Sequence, residues 1–338
     1  MDRRMMIGYT TALALGPWRG ARAADEAGAT VIRINIPGPN MLPMLPIELI
    51  PRLGIDRALG AQLAIRYMPS GVLALEDIVA GNGHFAGVGF SVLPSFVAKG
   101  KSVAAVASLS SGVPPYSILI RPDLAKQIRQ VRDLKGHSIG LPLGSPTART
   151  YLETVMEIWL SSNGVARGDV RWVQTNQNLD GMYGSLAGGV VDAVFCEEPL
   201  AGTLVRKKIG VRLANLGDPK APGRAVWANH LRAILAAPRD LLTNHPKRAE
   251  LMIGMLQRSL QWIRTNKPAE IVARLGIQDA ELAQDLTDPL KKMPNLYSPD
   301  GRFKPAELDA TRAFLVASGT PLPANMAITD LIADQWVK

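Results

Sequence analysis

Residues 133–164, DLKGHSIGLPLGSPTARTYLETVMEIWLSSNG, place a turn, a buried strand, a small-residue loop and an amphipathic helix in immediate succession. Asp133-Leu134-Lys135-Gly136 reads as the turn and Ser138-Ile139-Gly140-Leu141 as the strand. Gly144-Ser145-Pro146 then predicts a helix over 146–162, with Ser145 as N-cap and Pro146 in the first turn, where its missing N–H costs nothing. Ala148, Leu152, Val155, Met156, Trp159 and Leu160 share one face of a 3.6-residue period, and Asn163-Gly164 supplies a left-handed stop. Units of this kind, repeated, build an open parallel sheet. Each one aims unpaired backbone N–H groups at the space beyond its strand, where an anion or carbonyl can sit. An ordinary strand–helix unit with nothing bound fits the same residues.

The pattern does repeat. Strand-like runs at Val31–Ile36, Gln62–Met68, Ala86–Gly89 and Val103–Leu109 alternate with a loop and helix at Asn40–Leu53 and helices at Gly71–Ala80 and Val92–Ala98. A second series has strands at Ser138–Leu141, Val170–Val173, Val190–Phe195 and Val211–Ala214. Its helices fall at 146–162, 179–187 and 199–208. Two further apolar runs, Tyr116–Arg121 and Leu231–Ala237, flank the second series, and the chain is helical beyond them, most clearly at Pro246–Thr265. This predicts a first lobe made of 24–120 and 226–338, a second made of 121–225 inserted in it, and the two flanking runs as paired hinge strands. Two open sheets facing each other across a double hinge make a cleft that closes, with ligands beyond the strands' C-terminal ends.

At 338 residues the chain is long enough for two domains of ordinary size. Arg3-Arg4, the apolar run Met5–Leu15 and Ala21-Arg22-Ala23 have the layout of a cleaved export signal over 1–23. Its removal takes four Arg and one Asp and lowers the net charge from +9 to +6. No later stretch reaches the ~18 apolar residues of a membrane span, so export predicts a soluble periplasmic protein. The remaining Lys and Arg are scattered rather than gathered in a stripe, which gives no nucleic-acid footprint. The lone Cys196 excludes an internal disulfide and a multi-cysteine zinc site; it reads as a small buried hydrophobe, with a reactive thiol as the other reading. His84, His137, His230 and His245 are too dispersed for a catalytic triad or a metal set, and no cofactor is expected.

Three segments resemble one family. Met68-Pro69-Ser70-Gly71 through Ala80-Gly81 is one. Asp133-Leu134-Lys135-Gly136 with Ile139-Gly140 and Gly144-Ser145 is the second. Gly189-Val190-Val191-Asp192-Ala193 followed by Glu198-Pro199 is the third. In this order and spacing, across most of 30–265, they resemble the substrate-binding proteins of ABC importers for nitrate, sulfonate, taurine and thiamine-pyrimidine ligands. The resemblance implies a two-lobed type II periplasmic binding protein fold, with mainly parallel α/β lobes and a ligand held in the cleft. A permease with its ATPase at the inner membrane would be the partner, and a monomer the working form. The front of the chain departs from the pattern, because Pro39, Pro43, Pro46 and Pro51 crowd the region where relatives often run an uninterrupted helix.

Ligand contacts are expected in the loops at strand C-termini: Asn40-Met41, Ser70-Gly71 and Ser91 in the first lobe, and Ser145, Thr147, Asn176 and Glu198 in the second. Short hydroxyls, amides and backbone N–H groups can each give a desolvated anion ~1.5–3 kcal/mol. Other readings stand beside these. Ser145 and Ser70 serve equally as helix caps, Asn176 as part of a solvated loop, and Glu198 as a helix-start acid. A carboxylate in the cleft would select a ligand with an N–H donor or positive charge. Met41, Tyr116 and Trp227 are candidate apolar walls or core, and Arg149 a candidate partner for an acidic ligand or a surface residue. Two function classes follow: a non-enzymatic solute receptor, transporter-linked or sensory, and an enzyme on the same scaffold. The synthase-like form of the enzyme lacks its Cys-rich motif, and the desulfinase-like form would need Cys196 as nucleophile.

Overall fold

The computed structural model describes residues 29–111, 116–218, 220–221, 229–320 and 322–338. The expected export signal and Trp227 lie outside them.

Among the described residues, ten strands form two five-stranded sheets of matching layout. The first has the order β2 (Ala61–Met68), β1 (Thr30–Pro37), β3 (Phe85–Gly89), β10 (Leu231–Pro238), β4 (Val103–Ser111). The second has the order β7 (Arg171–Gln174), β6 (Ser138–Leu141), β8 (Ala193–Glu197), β5 (Tyr116–Ile120), β9 (Val211–Asn215). In each sheet the fourth strand alone runs antiparallel to its neighbours. That strand comes from the other side of a crossing: β5 follows β4 into the second sheet, and β10 follows β9 back into the first. The two flanking runs are therefore not paired with each other, as the sequence suggested. Each completes a different sheet, and β5, which falls within the segment 24–120 expected in the first lobe, belongs to the second sheet. A two-stranded pair standing alone is marginally stable in water, whereas a wider sheet buries apolar strands on both faces, which is why both were drawn in.

The apolar patterning explains the layers. β4 is buried along nearly its whole length and reads as a near-continuous run of small and apolar residues, as a strand covered on both faces does, while β1 buries Val31, Ile32, Ile34 and Ile36 around Arg33 and Asn35. Helices flank both sheets: α1 (Leu45–Arg52), α2 (Gly71–Val79) and α3 (Leu93–Ala98) in the first lobe, and α4 (Tyr151–Ser162), α5 (Leu179–Ala187) and α6 (Leu200–Arg206) in the second. α7 (Pro246–Thr265) buries Met252, Met255, Leu256 and Leu260, the stripe its spacing predicts. The outer edge of β4 is closed by the C-terminal segment, where Ser108 N donates to Gly301 O and Ala333 N to Ala105 O, both at 2.8 Å.

Side-chain hydrogen bonds to the backbone set two of the boundaries that differ from expectation. The long helix of the second lobe begins at Tyr151, not 146. Thr150 and Glu153 form a capping box, Thr150 Oγ1 accepting from Glu153 N at 3.0 Å. Strand β8 begins at Ala193 because Asp192 ends the preceding turn, its Oδ2 accepting from Ser138 N and Ser138 Oγ at 2.9 Å each.

Candidate functional site

The C-terminal ends of the parallel strands of both sheets converge on one cavity. From the first lobe come Pro37 at the end of β1, Ser70 and Gly71 after β2, and Gly89 at the end of β3. Thr150, Tyr151 and Leu152 open α4 in the second lobe, Gln177 follows β7, and Tyr116 begins β5. Arg232 and Ala233 of β10 close the floor. The free space is about 40 Å³, room for a water or two, so the lobes stand closed on each other.

Glycines make this closeness possible. A Cβ at position 89 would lie 2.5 Å from Tyr151 Cβ, and one at position 38 would lie 2.5 Å from the Gln177 carbonyl oxygen. Gly38 also has φ +56°, a conformation that glycine adopts at no steric cost. Across the same seam Ser145 Oγ donates to Glu76 Oε1 at 2.6 Å, and Lys99 Nζ donates to the Pro146 carbonyl.

The strongest feature is electrostatic. Arg232 is 1% exposed, and a buried guanidinium is expensive unless every N–H is matched. Its Nε donates to Ser110 Oγ at 3.2 Å, yet Nη1 and Nη2 have no hydrogen-bond partner among the described residues. Two unmet donors with a full positive charge on a cavity wall make an anion receptor. The N-terminal turns of α2 and α4 border the same space, and their dipoles act in the same sense. Glu197, wholly buried at the end of β8, also has both carboxyl oxygens unpartnered. Burial raises this acid to about 7, against the pull of the Arg232 charge and of the Tyr116 hydroxyl; Glu198 pushes it up further. The Tyr116 hydroxyl lies beside it without full hydrogen-bond geometry. Tyr116 and Tyr151 line the cavity with rings 6.1 Å apart; behind them Tyr151 OH contacts His230 Nε2 at 2.8 Å, and His230 stacks on Phe314 at 4.2 Å.

Of the residues expected from sequence, Ser70 and Gly71 line the cavity, Ser70 also capping α2 through Leu73 N at 3.3 Å. Tyr116 lines it too. Ser91 is buried next to the lining residue Val92, its Oγ without a partner among the described residues. The others lie elsewhere. Met41 is in the core. Asn40 has φ +58° and gives its N–H to Glu48 Oε1 at 2.9 Å, on a separate surface depression. Ser145 is neither helix cap nor lining; it holds Glu76 and accepts from Thr147 N at 3.0 Å. Thr147 is half-buried and Asn176 exposed, while the next residue but two after Gln174, Gln177, takes the cavity position. Glu198 pairs with Arg212 at 2.8 Å and accepts from Gly202 N at 2.7 Å, a helix-start acid. Arg149 is held by Glu157, Ser318 O and Thr320 Oγ1. Cys196 is fully buried, and desolvation drives its thiol upward, the reverse of an activated nucleophile.

Sequence reasoning missed Arg232, Glu197, Thr150 with Tyr151, and Gln177. A single Arg inside the apolar run Leu231–Pro238 was the readable signal, since a charge in a buried strand needs a partner or a purpose. Thr150-x-x-Glu153 was equally readable as a capping box.

Several solved structures share the fold. A protein from Bordetella bronchiseptica RB50 superposes with a TM-score of 0.77 at 20% identity, over 92% of this chain and 96% of its own. The alkanesulfonate-binding protein SsuA from Xanthomonas axonopodis pv. citri, bound to MOPS, has a TM-score of 0.69 at 18% identity, over 90% and 98%. The periplasmic nitrate-binding protein NrtA from Synechocystis PCC 6803 has a TM-score of 0.69 at 14% identity, over 91% and 86%. A comparison with proteins of curated function gives no match. The model of the NMT1-like family matches residues 40–277, the greater part of this chain, and the chain belongs to that family.

Proposed function

We propose that this protein is an extracytoplasmic solute receptor that captures a small organic anion, with an apolar or heteroaromatic body, and hands it unaltered to an ABC permease and its ATPase. The observation that carries the reading is Arg232, a buried cation with two unmatched donor nitrogens on the wall of a cavity between two lobes. An anion there satisfies those donors, and closure of Tyr151 over it removes the last water, so neither lobe alone can bind tightly. Structural neighbours that bind an alkanesulfonate and nitrate support the same class of cargo. The burial and raised thiol of Cys196 count against a thiol-dependent enzyme on this scaffold. Delivery to a transporter places the protein in the periplasm as a monomer.

The test is a thermal-shift screen of nitrate, methanesulfonate, benzenesulfonate, benzoate and orotate, with native mass spectrometry of the protein as purified. A binder at 100 times its Kd stabilises the folded state by about 2.7 kcal/mol. Arg232→Met keeps the unbranched apolar stem, removes the guanidinium and its charge, and should abolish the shift while the protein stays folded. Equal stabilisation of wild type and Arg232→Met, or turnover of any of these compounds, would overturn the reading.

A further inference from the structure

The structure assigns Arg232 a resident counter-charge of unusual kind. Glu197 stands on the second sheet and Arg232 on the first, each buried, each with its terminal atoms unpartnered, and no ion pair within 4.0 Å joins them among the described residues. Tyr116 links them: it pairs with Glu197 across the β5–β8 ladder and lines the cavity together with Arg232, and the Arg232 charge acts on the Glu197 carboxyl through space. We propose that Glu197 is the counter-ion of Arg232 in the empty cleft, and that an anion docking on Arg232 displaces it from that role, so that each monoanion is bound together with one proton taken from solvent. The proposal rests on the receptor reading above.

The argument is charge balance in a dry space. With the cleft empty, Arg232 is positive and Glu197 negative, and the buried pair is neutral. A monoanion placed on Arg232 would leave Glu197 as a second negative charge with no cation of its own and no hydrogen-bond donor in full geometry. An uncompensated buried charge neutralises rather than persists. Protonating Glu197 restores a neutral set: guanidinium, bound anion, carboxylic acid. A guanidinium does not deprotonate in a protein, so Glu197 is the member that gives way.

The groups around Glu197 leave it alone in this role. Tyr116 on β5, Tyr151 on α4 and Tyr297, in the segment after the helix Ala280–Lys292, all interact with it, and burial drives all three phenols upward and keeps them neutral. On its own strand the Cys196 thiol is likewise driven up by burial, and Glu198 is occupied by Arg212. In the empty protein Glu197 is balanced at about 7 between burial and the Arg232 charge. Once an anion screens that charge, burial and Glu198 push upward against the Tyr116 hydroxyl alone. Anion affinity is therefore flat on the acid side of about pH 6 and falls as pH rises through 7, by about tenfold between pH 6 and pH 8.

Methanesulfonate and benzenesulfonate are the probes, because both stay ionised across this range and contribute no protons themselves. Titration calorimetry of the whole protein in buffers of different ionisation heat counts the protons. Uptake should rise from near zero at about pH 5.5 to about one per anion at pH 8. Glu197→Gln should bind with no pH dependence, and at pH 8 about tenfold more tightly than wild type. Should that variant fail to fold, the wild-type proton count decides by itself. Sulfonate binding with no proton uptake at pH 8 overturns the inference and leaves the receptor reading standing. If neither sulfonate binds at any pH, Arg232 is not an anion site and both readings fall together.

Discussion

In the first lobe the chain passes from the end of β2 to the start of α2 in two residues, 69 and 70; in the second it takes nine, 142–150, to pass from β6 to α4. Both connections end in a capped helix whose first turn borders the cavity. The short one has room for a cap and nothing else, so Ser70 serves α2 and the cavity from one position. The long one divides the work. Thr150 caps α4, while the excess loop folds over on itself, Ser145 N donating to Ala148 O at 3.0 Å, and reaches the opposite lobe. Gly144 permits that fold, because a Cβ there would lie 2.0 Å from the Ala148 carbonyl oxygen. Loop length thus separates the lobe that offers a rigid wall from the lobe that grips.

The sharpest way to break this division is Gly89→Val. Gly89 has φ −70°, an ordinary conformation for valine, so its backbone carries no penalty. The clash with Tyr151 Cβ exists only when the lobes are shut. Closure is what desolvates the anion, and the variant should lose about 100-fold in benzenesulfonate affinity, or ~2.7 kcal/mol. Its melting temperature without ligand should stay near that of wild type, and small-angle scattering should show a larger radius of gyration that no ligand reduces. Gly38→Ala adds a second cost: besides the same block to closure, from the Gln177 carbonyl oxygen 2.5 Å from its Cβ, its φ of +56° penalises alanine whether the cleft is open or shut, so stability should fall as well, by about 1 kcal/mol. An unchanged affinity in Gly89→Val would mean that Tyr151 does not need to approach β3 for binding.

The caps come next in size. Thr150 Oγ1 accepts from Glu153 N at 3.0 Å and donates to the buried Pro142 carbonyl at 2.7 Å. Thr150→Ala removes a cap and strands an acceptor, which together cost about 2 kcal/mol. Ser70 makes one longer cap bond, 3.3 Å to Leu73 N, and Ser70→Ala should cost about 0.5–1 kcal/mol. Urea unfolding checks both, with the midpoint lowered in that order and the slope unchanged. Equal losses would show that the long connection holds its helix no more tightly than the short one.

These two connections also show what a sequence can disclose about such a protein. The short one was legible, because Ser70-Gly71 after an apolar strand is a local signature and the fold agrees with it. So were the two strand–helix series and the helix Pro246–Thr265, whose periodicity is set by burial on one face. The long connection offered two helix starts, Ser145-Pro146 and Thr150-x-x-Glu153, and nothing local chooses between them. The choice is made by Glu76, distant in sequence, which takes the Ser145 hydroxyl, and by Arg167, whose bond to Glu153 Oε1 at 2.8 Å fixes the box. The same holds for the two adjacent acids. In a strand, neighbouring side chains point to opposite faces, and the pairing of Glu197 with Tyr116 decides that 197 is the inward one and Glu198 the one that meets Arg212. Arg232 is set in place by Ser110 across the β10–β4 ladder. Site residues fixed by long-range pairing stay hidden where fold elements fixed by local pattern do not.

The finest test of the comparison is Ser145→Ala, because it separates grip from structure inside one loop. The hydroxyl donates to a carboxylate at 2.6 Å, a charge-assisted bond, but both residues are half-buried and water can replace the contact once the lobes part. Its net value is about 1 kcal/mol or less, present only in the closed state. The expected result is a three- to fivefold loss of benzenesulfonate affinity, in line with that energy, with the loss appearing in the dissociation rate because the latch forms after encounter. Unfolding should be untouched, since Thr150 and not Ser145 starts the helix. A drop in stability comparable to that of Thr150→Ala, with affinity unchanged, would return Ser145 to the role of a cap and leave the long connection without its function as the gripping arm.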